Sequence, residues 1–79
     1  MNLSIRNYII SNFKNDDLDE LEKAIDESIA SGDEETLPGM GVFLELAWQG
    51  ATDKLKQEIL EIIKKEISTK YNAYFFFKF

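Results

Sequence analysis

Leu37-Pro38-Gly39-Met40-Gly41-Val42-Phe43-Leu44-Glu45-Leu46-Ala47-Trp48 is the stretch whose reading decides the fold. It holds the only Pro, the only Trp and two of the four Gly of the chain. Projected at about 100° per residue, Val42 to Gln49 is apolar nearly all round, broken by a stripe of Glu45 and Gln49. A helix of that character needs other helices around it. Thr36 is positioned to cap it, with Pro38 near its first position, where proline's missing N–H costs nothing. Gly39 and Gly41 each cost a helix interior about 1 kcal/mol, so a tight turn or a close helix contact is the expected reason for them. Gly50 is expected to close this helix as Gly32 closes the one before it.

Upstream, Leu18, Leu21, Ile25 and Ile29, with Ala24 between them, follow the spacing of an amphipathic helix. Asp16 or Asp17 caps its start, and Asp19 and Glu20 sit in the first turn, where the helix dipole favours negative charge. Ser31-Gly32 stops it, Gly32 being suited to the left-handed position after a helix. Asp33-Glu34-Glu35 forms a short acidic loop into the central stretch. Before all this, Asn2 to Lys14 reads as a first helix with Ile5, Ile9 and Phe13 on one face and Ser4 or Asn2 as its cap.

Downstream, Thr52 caps a fourth helix whose apolar stripe is Leu55, Ile59, Ile62, Ile63 and Ile67. Lys54–Glu58, Glu61–Lys65 and Glu66–Lys70 are spaced for lateral ion pairs worth a few tenths of a kcal/mol each. The last nine residues, Tyr71 to Phe79, hold six of the ten aromatics. Tyr71, Tyr74 and Phe75 are in phase with the fourth helix's stripe, whereas Phe76, Phe77 and Phe79 need another surface, an aggregation liability if left in water.

Composition narrows the function. At 79 residues the chain is near the lower size at which one core suffices. It has no Cys, so neither disulfides nor a thiolate metal site reinforce it. It has no His, the usual zinc ligand and the usual general base near neutral pH. These absences weigh against hydrolase and metalloenzyme readings, and no catalytic, cofactor-binding or metal-ligating residue stands out. Met1 to Phe13 lacks the apolar run of a secretory signal, and no stretch reaches the roughly 18 apolar residues of a membrane span, so an intracellular soluble protein is expected.

The charge pattern is uneven. Between Asn15 and Glu35, ten carboxylates face one cation, Lys23. A solvated helix face is the ordinary explanation of such a run, with a docking face for a basic protein partner or a weak cation site as the functional alternatives. The loop lacks the alternating ligands of a calcium-binding EF-hand. Lys54, Lys56, Lys64, Lys65 and Lys70 form a basic stripe that Glu58, Glu61 and Glu66 nearly cancel, and with a net charge of −6 the chain is repelled by phosphate, which argues against DNA binding. Met40, Phe43, Leu44 and Trp48 read as core rather than as a pocket or partner groove.

The sequence resembles the small acid-soluble spore protein I family, the SspI-type minor spore proteins of endospore-forming Firmicutes. The matching pieces are Leu3 with Ile5-Arg6, Ile10 with Asn12, Leu21-Glu22, Ile25 and Ser31-Gly32-Asp33-Glu34. Leu37-Pro38-Gly39-Met40-Gly41-Val42 follows, with Glu45 and Trp48, in the family's order and spacing over roughly residues 1 to 68. Arg6, Gly32, Leu37, Pro38, Gly39, Gly41, Glu45 and Trp48 are the motif residues carried over, and because both belong to that pattern, Arg6, the only Arg, and Glu45, the lone charge of the central helix, are expected to pair. The resemblance implies a non-catalytic protein made in the developing forespore and held in the spore core. It supplies no mechanism, no cofactor and no small-molecule substrate. The pattern of the major spore proteins that coat DNA is not seen. The segment after Lys70 departs from the family pattern.

The expected architecture is all-α: four short helices around the Pro38–Gln49 helix as hub, one domain over residues 1–70, and an aromatic tail over 71–79. The leading function is a structural spore protein, with a homo-oligomer as one expected form. The competing one is an acidic helical interaction module, and an enzyme is a remote third.

Overall fold

The computed structural model describes residues 4–78, and the side chains of 4–70. Asn2 as an alternative cap and the side chains of the aromatic tail lie outside the described residues. The elements are α1 (Ile5–Phe13), α2 (Leu18–Ser31), a 3-10 turn (Glu34–Thr36), α3 (Leu37–Gly50) and α4 (Asp53–Lys78). The fold is all-α. Two compact units divide the chain, Met1–Gln49 and Gly50–Phe79.

Each helix of the first unit starts and stops for a local reason. Ser4 caps α1, its hydroxyl accepting from the Asn7 N–H at 3.2 Å. Asp17, rather than Asp16, caps α2: its carboxylate accepts from the Glu20 N–H at 2.8 Å, and the Glu20 carboxylate accepts from the Asp17 N–H at 3.3 Å. This reciprocal capping box satisfies two N–H groups that the helix itself leaves unbonded. Gly32 ends α2 at φ +63°, a left-handed conformation that a Cβ disfavours.

The entry to α3 differs from the expected one. Thr36 is not its cap. Its hydroxyl donates to the Asp33 carbonyl at 2.7 Å, closing the 3-10 turn, and Asp33 is the cap, accepting from the Glu35 N–H at 3.0 Å. The tight turn runs straight into α3, which therefore begins at Leu37 with Pro38 still in the first turn, where no backbone donor is needed. Gly50 also departs from expectation. It is the last residue of α3 but does not adopt a positive φ, which among the described glycines only Gly32 does. Space at Gly50 is open, so neither backbone nor packing demands glycine there.

Within the first unit, α3 is the element that both other helices meet. Ile9 of α1 lies against Gly39, and the Phe13 and Phe43 rings meet edge to face, centroids 5.1 Å apart at 77°. Ala24 and Ser28 of α2 share a cleft of about 250 Å³ with Ile9, Phe13, Met40 and Phe43. In α2 the half-buried positions are Leu21, Ala24 and Ile25, the predicted stripe without its exposed ends Leu18 and Ile29, together with Ser28, which lies outside that stripe.

The core is thin. Val42 is the one buried apolar residue among those described, at 6% exposure, while Leu44 and Leu46 of the same helix stay 49% and 40% exposed. The all-round apolar pattern of α3 therefore exceeds the cover it receives. The nine residues of α1 span only about 14 Å, too little to sheathe a 14-residue helix.

In the second unit, Thr52 caps α4, its hydroxyl accepting from the Leu55 N–H at 3.2 Å. The helix then runs unbroken for 26 residues. None of its three expected lateral ion pairs closes; among the described residues, the lateral pair that does is Lys23–Glu27 in α2, at 4.0 Å.

Candidate functional site

The family-motif residues divide into three groups in space. The first is a clasp. Ser4 ends the lead-in and α1 then presents Arg6 one turn ahead of Ile9, while α3 presents Glu45 one turn beyond Val42. The Arg6 Nε donates to Glu45 Oε1 at 2.6 Å and Nη2 donates to Oε2 at 2.9 Å, joining residues 39 apart in sequence. This is the parallel two-bond geometry that a planar guanidinium makes with a carboxylate. The hydrogen bond from Arg6, aided by its charge and opposed by burial, holds the Glu45 carboxyl below the usual range. The same bond, with the Glu45 charge, raises the Arg6 guanidinium further. The Arg6 and Glu45 side chains are 67% and 36% exposed, so water screens the pair. Beside it, Ser4, Ile5, Pro38 and Val42 join the pair in lining an open cleft of about 520 Å³.

The second group is the stop-and-turn Ser31-Gly32-Asp33-Glu34. The Ser31 hydroxyl donates to the Ser28 carbonyl at 3.0 Å and accepts from the Asp33 N–H at 3.2 Å. Gly32 makes the left-handed turn, and Asp33 caps the next element. Every residue of this motif with a described contact serves a chain reversal.

Leu37, Pro38, Gly39, Gly41 and Trp48 make up the third group, on α3. A Cβ at Gly39 would lie 3.2 Å from Ile9 Cδ1, so the close helix contact expected of the glycines exists at Gly39. Gly41 faces open space, and nothing in the structure explains it. Trp48, Met40 and Phe43 are half-buried, whereas Leu37 is 61% exposed.

Sequence reasoning pairs Arg6 with Glu45 but misses the Phe13–Phe43 contact and the roles of Ser31 and Asp33. Ser31 and Asp33 carry a legible signal, since Ser and Asp flanking a helix-ending glycine are residues that bond nearby backbone. Among the described residues, no group of three or more acidic side chains gathers as a metal site, and no helix is long and apolar enough to cross a membrane.

The model of the family described as small, acid-soluble spore protein I matches residues 3–67, which include all eight motif residues. The chain belongs to this family. Curated small, acid-soluble spore protein I relatives extend the match. That of Bacillus licheniformis is 40% identical over 70 residues, 89% of this chain and all of the relative. That of Bacillus velezensis is 42% identical over 64 residues, covering 81% of this chain and 90% of its own length. The Bacillus subtilis member is 38% identical over the same coverage. No solved structure matches the chain. For a small, acid-soluble spore protein I chain, the clasp, the turn and the Gly39 contact supply a structural meaning for the motif: each fixes how one helix of the first unit leads to or meets another.

Proposed function

We propose that this chain is a non-catalytic structural protein of the spore, made in the forespore during sporulation and retained in the spore core. The family match over residues 3–67 carries this reading. Two physical features support it. Gly32 of the motif serves a turn and Gly39 a helix contact, and Arg6 and Glu45, the motif's charged pair, are spent on each other. Acid solubility also follows from composition: once acid neutralises the 15 carboxylates, nine Lys and Arg remain charged, and strong net charge keeps a small chain in solution. Residues 1–70 are the family domain in this reading, and 71–79 an appended aromatic segment.

A fluorescent fusion expressed from the native promoter and imaged through sporulation tests the reading. Signal confined to the forespore interior supports it. Signal in vegetative cells, in the mother cell or only at the spore surface overturns it.

A further inference from the structure

Helix α4 carries a broad apolar face that is largely exposed. Leu55, Ile59, Leu60, Ile62, Ile63 and Ile67 occupy about 160° of its circumference. Leu55 and Leu60 are each 45% exposed, and Ile62 and Ile67 are 63% and 59% exposed. An amphipathic helix owes most of its stability in water to packing of its apolar face, so a stripe this open points to a partner.

Length and charge identify that partner. At 26 residues α4 is about 39 Å long, against about 21 Å for α2 or α3, so no single helix of the first unit matches it end to end. Another α4 does. Residues 1–49 carry eleven carboxylates against three cations, whereas residues 50–79 carry six lysines against four carboxylates, both signs interspersed along the helix. A strongly basic partner would be drawn to the first unit, not to α4. A helix of mixed and nearly balanced charge suits a copy of itself, where flanking Glu and Lys meet across a shared apolar seam.

We propose that α4 is a self-association surface, on which a second copy of this chain lays its own α4 along the Leu55–Ile67 stripe. Sedimentation equilibrium of the full chain at neutral pH tests this, from about 1 μM to about 1 mM. The expected result is a monomer–dimer equilibrium that Ile63→Glu, near the centre of the stripe, weakens at least about tenfold by placing a charge in the seam. Gln57→Glu, on the opposite side, leaves it within about twofold. A monomer throughout the range overturns the proposal, as does pairing weakened by Leu44→Glu on α3 and untouched by Ile63→Glu. A second measurement avoids a variant that disturbs the seam. The chain has no cysteine, so Gln57→Cys accepts a single spin label. A dipolar coupling between copies that disappears on dilution with unlabelled chain supports the α4 pair, and its absence from the labelled chain at the highest concentration contradicts it.

Discussion

Arg6 and Glu45 meet in a two-bond clasp across 39 residues of sequence, tying α1 to α3 beside Val42, the buried centre of the first unit. Both belong to the family motif, and each is isolated from other charge on its own helix face. The clasp gives specificity: a planar guanidinium and a carboxylate match in only a few relative orientations of their helices.

A double-mutant cycle measures it. Arg6→Ala and Glu45→Ala each lower the urea midpoint, and the double variant lowers it by less than the two together. Arg6→Lys does not restore it, because an ammonium cannot make the paired bonds. Strict additivity of the two single variants would show that the groups do not interact.

Acid loosens this clasp in a predictable direction. Glu45 titrates lower in the folded chain than in the unfolded one, because Arg6 bonds its charged form. Its contribution is therefore present above the usual carboxylate range and is lost as pH falls through the folded value. Wild type should exceed Glu45→Gln in urea midpoint at neutral pH, and the two should converge in acid. A gap that persists at pH values where all carboxylates are protonated would contradict the assignment.

The two central glycines should respond differently to alanine. At Gly41 there is open space, so Gly41→Ala gains the helix preference of roughly 1 kcal/mol. At Gly39 the new methyl meets Ile9 Cδ1 at 3.2 Å, so part of that gain is consumed in moving the side chain. Denaturant midpoints of the two variants decide the order. Equal stabilisation would mean that the helices are not in close contact at Gly39.

Helix α2 depends on two caps of different kinds, one at each end. Asp17→Ala removes the capping box and costs about 1 kcal/mol, more than Asp16→Ala, which leaves it intact. Gly32→Ala forces a Cβ into the left-handed region and costs roughly 1–2 kcal/mol, with Gly32→Asn milder. Thermal melts followed by circular dichroism compare all four.

What the sequence makes legible is local. The spacing of Leu21, Ala24 and Ile25, the capping acid before α2, Gly32 and Thr52 each announce their structure within a few residues. The Arg6–Glu45 pair is legible at long range because both residues belong to the family pattern and each is the lone charge within its own helix. The rest depends on quantities that periodicity does not carry. An apolar pattern says which residues favour cover, not how much helix is present to supply it, and so Leu44 and Leu46 remain open. Thr36 and Asp33 both suit a cap, and the 3-10 turn that chooses Asp33 is a backbone event with no periodic signature. Gly50 resembles Gly32 in sequence, yet the φ that demands glycine occurs only at Gly32 among the described glycines.

The most direct test of the account is intact-protein mass spectrometry on a dilute-acid extract of purified spores of the organism that encodes this chain, with vegetative cells as the control. The account predicts a 9.1 kDa species, or a processed form of it, in the spore extract and none in the vegetative one. The same species in vegetative cells, with none in spores, would contradict the assignment to the spore.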